Sequence, residues 1–258
     1  MKTSEKEIAF LRGLTVEPDW TQNFTDLFDE KFKIGKPRTI TYINAGAGNH
    51  AIEIFEKLGV KTELFPVCET PELQEHAQLK ANNEKIDIDF STKMPMGKSD
   101  CVICDASLAK PNEISDLAKR AAGASNERVA LLLPTKGSFG EVFSFLWEVL
   151  LELGIESSGV EELITGQTTI DDVEETFRDL ALRDIKTHQK TINFDFEDGK
   201  EFAASLLMKG IFFPNWLEFV EAKDHERVIE NLAKKIDDES EGLSFRFSVK
   251  AAVVEGRH

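Results

Sequence analysis

The residues best suited to chemistry lie in one short stretch, Asn44-Ala-Gly46-Ala-Gly48-Asn49-His50. Two glycines one residue apart follow an apolar, β-branched run from Ile40 to Ile43. A helical pattern begins at once, with Ala51, Ile54, Phe55 and Leu58 on one face and Gly59 as its stop. Strand, glycine turn and helix are the opening of a nucleotide-binding βαβ unit. One glycine lets the chain turn sharply; the other removes a side chain where a ligand must lie against backbone. The helix start adds free N–H groups and the positive end of the helix dipole. Gly-x-Gly alone also fits a tight turn in any α/β protein, so the elements around it must decide.

Those elements place acidic residues at successive strand ends. Lys61 to Val67 reads as a second strand, with Pro66 marking its end. Glu69 follows, and Thr70 with Pro71 has the form of a helix cap and first helical residue, opening a helix to about Asn83. Ile86-Asp-Ile-Asp-Phe90 alternates as a short strand. Ser99 to Asp105 is an apolar strand ending in Asp105-Ala-Ser-Leu108. Open parallel sheets bind ligands at such carboxyl ends. Asp105 therefore stands where it could orient a substrate or act as a base.

The stretch 39–51 resembles motif I of class I S-adenosylmethionine-dependent methyltransferases: an apolar run, Asp or Glu, x, Gly, x, Gly, x, Gly. Asn44 stands at the acidic position, Gly46 and Gly48 at the first two glycines and His50 at the third. Asn44 can hydrogen-bond but carries no charge to meet an ammonium, and His50 adds bulk. Cys68-Glu-Thr-Pro-Glu72 is similar to the family's Val-Asp-x-Ser-Pro-Glu, which puts Cys68 at the acidic position and Glu69 beside it. The resemblance implies S-adenosyl-L-methionine as cofactor and a small-molecule methyl acceptor. It implies cofactor contacts from Asn44, Gly46, Gly48, Asn49, His50, Cys68, Glu69, Asp89, Phe90 and Asp105, with Asp105 also catalytic. Asp89, or alternatively Asp87, would accept from the adenine amino group, and Phe90 would wall the ring.

The resemblance follows the order of elements over residues 35–254. It implies an α/β, Rossmann-like, doubly wound, mostly parallel sheet of seven strands, the last antiparallel, with a helical insertion before that last strand. Residues 1–34 read as an N-terminal helical cap on a methyltransferase-like domain, 35–258. In the cap, one helix ends near Gly13 and another begins at Trp20, where Trp20, Phe24, Leu27, Phe28 and Phe32 form a stripe. That stripe fits a packed helix or a flap over the cofactor.

Further along, Pro111 to Ala122 is a helix and Arg128 to Leu133 a strand buried on both faces. Ser138-Phe-Gly-Glu141 has the form of a capping box for a helix to Leu153, whose buried face Phe145 and Trp147 widen. Thr169 caps another helix. Ile185–Phe196 and Phe245–Ala251 alternate as the sixth and seventh strands. Between them, residues 197–240 are helical in pattern and rich in large apolar residues, as a lid that excludes water would be.

Composition narrows the function. The 258 residues carry a net charge of −16, which repels phosphate backbones and anionic membranes. No nucleic-acid or membrane partner is expected, and the oligomeric state is open. Three cysteines suit a reducing compartment; Cys101-Val-Ile-Cys104 lies inside a strand and reads as buried core rather than a redox pair. With no leader or apolar span visible, a cytoplasmic protein is expected. No histidine or acidic cluster has metal-ligand spacing. The Asn/Asp-Pro-Pro-Tyr signature of amino-group methylators is absent, which weakens a nucleobase reading. Three readings follow: a small-molecule methyltransferase; the same fold kept as a binding or partner protein with an eroded cofactor site; and a nicotinamide oxidoreductase, which lacks its third glycine at Ala51 and a Tyr-x-x-x-Lys pair.

Overall fold

A computed structural model describes residues 5–59, 61–240 and 243–258. The first four residues of the expected cap lie outside them. The elements in chain order are α1 (Glu5–Leu11), α2 (Gln22–Lys31), β1 (Thr39–Ile43), α3 (Asn49–Leu58), β2 (Glu63–Val67), α4 (Pro71–Glu84), β3 (Ser99–Asp105), α5 (Ile114–Gly123), β4 (Ser125–Thr135), α6 (Gly140–Leu153), α7 (Ser158–Thr165), α8 (Ile170–Asp179), β5 (Arg183–Phe196), α9 (Gly199–Ala204), α10 (Phe213–Trp216), α11 (His225–Ser240) and β6 (Phe245–Arg257). The strands form one sheet in the order β2-β1-β3-β4-β6-β5, mostly parallel with an antiparallel edge. Strand order reverses at β1, flanked by β2 and β3, and a doubly wound sheet opens a crevice at such a point.

The sheet has six strands among the described residues, not seven. The missing one is Ile86–Phe90, which lacks regular structure and leaves only an isolated parallel bridge from Val67 to Ser91. Side chains of α4 take the backbone groups a ladder would use. Gln74 Nε2 donates to the Phe90 carbonyl (2.9 Å) and Gln78 Nε2 to that of Ile88 (3.0 Å), while the Phe90 N–H donates to Gln78 Oε1 (2.9 Å). Pro66 does not end β2 but sits inside it, paired in register with Tyr42. Its missing N–H falls on the outer side, where its carbonyl accepts from Ser91 (3.0 Å), so only the edge loses a donor.

The chain divides into two compact units. The first comprises residues 1–133, 169–190 and 251–258. Its core joins Ile43, Val102, Cys104, Val129, Leu131, Phe177 and Val254, with Ala118, Ala121 and Ala122 of α5 against them. Cys101 and Cys104 are buried and free, as their place in a strand predicts. The helical stretch after α1 does not stop at Gly13. It continues over Arg12–Thr21 as a widened, π-type run containing Pro18, and the Gln22 N–H reaches back to the Glu17 carbonyl. The stripe Trp20, Phe24, Leu27, Phe28 and Phe32 is wholly buried.

The second unit comprises residues 134–168 and 191–250. It absorbs much of the phenylalanine. Phe139 meets Phe212 and Trp216 at 5.1 Å, and Phe202 meets Phe245 at 5.2 Å. The expected capping box at Ser138 does not form. Phe139 precedes α6 in left-handed backbone (φ 63°), Ser138 Oγ donates to the Thr135 carbonyl (2.7 Å), and Glu141 accepts from Ser248 Oγ (2.9 Å). Trp147, expected on the buried face of α6, is exposed. Residues 197–240 are helical as expected, in α9, α10, α11 and a wide turn at Met208–Phe212.

If Gln78 stands in for a strand partner, Gln78→Leu orphans the Ile88 and Phe90 backbone groups. The expected loss is about 2 kcal/mol of unfolding free energy, read from urea midpoints at unchanged slope. A loss below about 0.5 kcal/mol would show that water replaces the amide without cost.

Candidate active site

The site is assembled at the carboxyl ends of β1, β2 and β3, within the first unit. The turn after β1 is left-handed at three of five residues: Asn44 (φ 58°), Gly46 (φ 58°) and Gly48 (φ 91°). It leaves the N–H groups of Gly46 and Ala47 free for acceptors outside the turn. Gly46 N donates to Glu69 Oε2 (3.1 Å), and Ala47 N donates to Glu17 Oε1. Arg12 closes the group by an ion pair with Glu69. A Cβ on Gly46 would strike the Glu17 carboxylate, so this glycine makes room for an acid. On Gly48 a Cβ would lie 2.8 Å from the Phe90 ring and 2.9 Å from Ala77, so that glycine makes room for packing.

A cavity of about 720 Å³ opens beside this group. Asn44, Cys68, Glu69 and Asp105 form its strand-end wall, and α5 brings Asp116 and Arg120 to the opposite one. Its size lies in the range of small-molecule sites. The loop after Asp105 is fixed on both sides. Ser107 N donates to Asp105 Oδ1 (2.8 Å), and Trp20 Nε1 donates to the Ser107 carbonyl (3.1 Å). Asn44 Nδ2 donates to the Asp105 carbonyl (3.0 Å), tying the ends of β1 and β3 together.

Burial sets the charges. It pushes the Asp105 carboxyl above its ordinary value, although the Ser107 hydrogen bonds pull the other way. Burial also dominates at Glu17, which the Ala47 N–H and Arg12 only partly offset, and its carboxyl rises to about 7. The Cys68 thiol is pushed up to about 12 by burial and by Glu69. Burial works against the Arg12 charge, but Glu69 and Glu17 outweigh it and hold the guanidinium charged.

No family model matches the chain, and no curated protein matches it in sequence. Solved structures do match in shape. The YcgJ protein of Bacillus subtilis superposes at TM-score 0.54 with 14% identity, covering 92% of this chain and 98% of its own. Magnesium protoporphyrin IX methyltransferase of Synechocystis, with bound S-adenosylhomocysteine, superposes at 0.52 with 14% identity, covering 95% and 87%. The [4+2]-cyclase SpnF superposes at 0.50 with 12% identity, covering 91% and 79%. The chain has the fold of class I S-adenosylmethionine-dependent methyltransferases. A cyclase among these structures means that the methyltransferase fold alone does not name the reaction.

Of the residues that the methyltransferase motifs single out, the structure brings Asn44, Cys68, Glu69 and Asp105 to the cavity, with Gly46 next to them. Asn49 begins α3 and accepts from Lys80. His50 turns inward: Nδ1 pairs with the Tyr42 hydroxyl (2.9 Å) and Nε2 with Asp29 (3.3 Å). Phe90 is buried on Gly48 and does not line the cavity. Asp87 and Asp89 are exposed, away from it. Sequence reasoning missed Arg12, Glu17, Asp116 and Arg120. Nothing in a single sequence separates a carboxylate buried at 4% exposure, as Glu17 is, from one on the surface.

The Glu17 shift has a sign that can be tested. Its carboxyl titrates near 4.5 when unfolded and near about 7 when folded. Between these values the folded chain keeps a proton the unfolded chain has lost, so this contribution to stability falls as pH rises through the window. Glu17→Gln removes this titration, while Arg12, Glu69 and Asp105, which face the same group, stay in place. The variant should therefore gain on the wild type in urea unfolding as pH is raised from about 5 to about 8. A constant difference would mean that Glu17 titrates as a solvated acid.

Proposed function

We propose that the protein transfers a methyl group from S-adenosyl-L-methionine to a small-molecule acceptor. The supporting observation is the cavity at the strand ends, with Glu69 after β2 and Asp105 at the end of β3 flanking the glycine turn. These residues suit the cofactor. Each Glu69 oxygen accepts one hydrogen bond within the chain and has capacity for another, as a ribose diol requires. The polar wall from Ser107 to Arg120 suits a purine edge better than the exposed Asp89 does. When bound, the cofactor would supply an electrophilic methyl on a sulfonium. The chain would orient the acceptor, keep water out and hold charge. Asp105, buried and raised, would take the acceptor's proton or anchor its polar group.

A second reading is favoured by one observation. Arg12 and Glu17 already occupy the glycine turn, as they would in a protein that keeps the fold for a partner and has closed its cofactor site. Calorimetric titration with S-adenosylhomocysteine, with NAD as control, separates the two. Saturable binding of the former alone is expected, weakened about tenfold or more by Glu69→Ala through loss of charged hydrogen bonds. No binding to the folded wild type would put the partner-protein reading first.

A further inference from the structure

We propose that Glu17 and Arg12 form a charge-paired clamp for the α-amino-acid end of the cofactor, with Glu17 supplying the carboxylate that Asn44 lacks. The proposal rests on the methyltransferase reading and adds two residues that no motif contains.

Asn44 cannot do this work. Its amide is neutral, and its Nδ2 is committed to the Asp105 carbonyl, where it acts as a strut between strand ends. An ammonium arriving at the glycine turn would find a carboxylate from another direction. Glu17 lies on the Ala47 N–H and against Gly46, with 4% of its surface exposed. A carboxylate that deeply placed is costly unless something positive meets it.

Arg12 is the second half. It pairs with Glu69 and lies close to Gly46, with one guanidinium nitrogen 3.5 Å from where a Cβ on that glycine would be. Its Nε is buried and has no hydrogen-bond partner. A guanidinium with a donor to spare matches a ligand carboxylate, which can take two parallel hydrogen bonds. Cation and anion side by side are the complement of an ammonium and a carboxylate on one carbon. Without ligand, Arg12 pairs with Glu69, Glu17 accepts from the Ala47 N–H, and the Arg12 Nε is left over; with it, Arg12 would meet the cofactor carboxylate and Glu17 the ammonium.

The position of the pair is built, not incidental. Both residues sit at the widened helical run, and Trp20, fully buried three residues after Glu17, is bonded to the Ser107 carbonyl on the cavity's own loop. The extra residue per turn carries Glu17 onto the glycine turn while Arg12 stays within reach of Glu69.

The test compares two ligands that differ at the proposed contact. S-adenosylhomocysteine carries the amino-acid end; 5′-methylthioadenosine lacks it. Both are titrated calorimetrically into wild type, Glu17→Gln and Arg12→Met, with circular dichroism to confirm folding. The clamp requires S-adenosylhomocysteine to weaken about tenfold or more in each variant, while methylthioadenosine changes by less than about twofold. Arg12→Lys, which keeps the charge but loses the fork, should recover only part of the affinity lost in Arg12→Met. Equal weakening of both ligands would reduce the pair to a structural role and overturn the clamp. Unchanged or tighter S-adenosylhomocysteine binding in Glu17→Gln would overturn it too, the latter marking Glu17 as a plug. Wild type that binds methylthioadenosine but gains nothing from the amino-acid end would refute the clamp and leave the cofactor reading standing. Wild type that binds neither would remove both.

Discussion

The left-handed turn between β1 and α3 is the constraint from which the site follows. A backbone that takes positive φ at Asn44, Gly46 and Gly48 bonds the Gly48 N–H back to the Ala45 carbonyl (3.0 Å). The Gly46 and Ala47 N–H groups are left pointing outward. Buried donors need acceptors, and here those are the carboxylates of Glu69 and Glu17. A buried carboxylate beside a second one needs a cation near it, and Arg12, paired with Glu69 and close to Glu17, is that cation. Arg12 and Glu17 in turn need the N-terminal run to widen and to be pinned by Trp20. The demand begins with two backbone groups and ends by fixing the path of an entire segment.

The same chain of demands explains residues that depart from the methyltransferase motif. His50, at the third glycine position, joins the buried Tyr42 hydroxyl to Asp29 of α2. Burial alone would raise the Asp29 carboxyl, but hydrogen bonds with His50 and Lys57 prevail and bring it to about 2. Asn44 trades charge for a bond between the ends of β1 and β3. Cys68, with its thiol pushed up to about 12 by burial, lines the cavity beside Glu69. These substitutions are wired into the structure around the turn, not left as vacancies.

The cavity's chemistry is uneven in a way that bears on ligand choice. Glu69, Asp105, Glu113 and Asp116 line it against Arg12 and Arg120. An excess of acid along one cavity favours a ligand bearing positive charge. A sulfonium cofactor meets that condition and a dinucleotide phosphate does not, which sets the methyl-transfer reading above the nicotinamide one on electrostatic grounds.

The sequence by itself determined the elements whose signals are local. The β-branched run at Ile40–Ile43, the spacing of Gly46 and Gly48, the Thr70-Pro71 cap and the alternation of β5 and β6 each depend on a few neighbouring residues, and each formed. They also placed Asn44, Cys68, Glu69 and Asp105 at strand ends, because a parallel sheet sends successive carboxyl ends to one side. Tertiary structure decided what depends on distant partners. Alternation at Ile86–Phe90 predicts a strand, yet two glutamines of α4 captured its backbone groups first. Ser138 and Glu141 have capping spacing, yet Thr135 and Ser248 held their side chains. Arg12 and Glu17 joined the site because burial converts two ordinary surface residue types into a paired charge, and burial is a property of the whole packed chain.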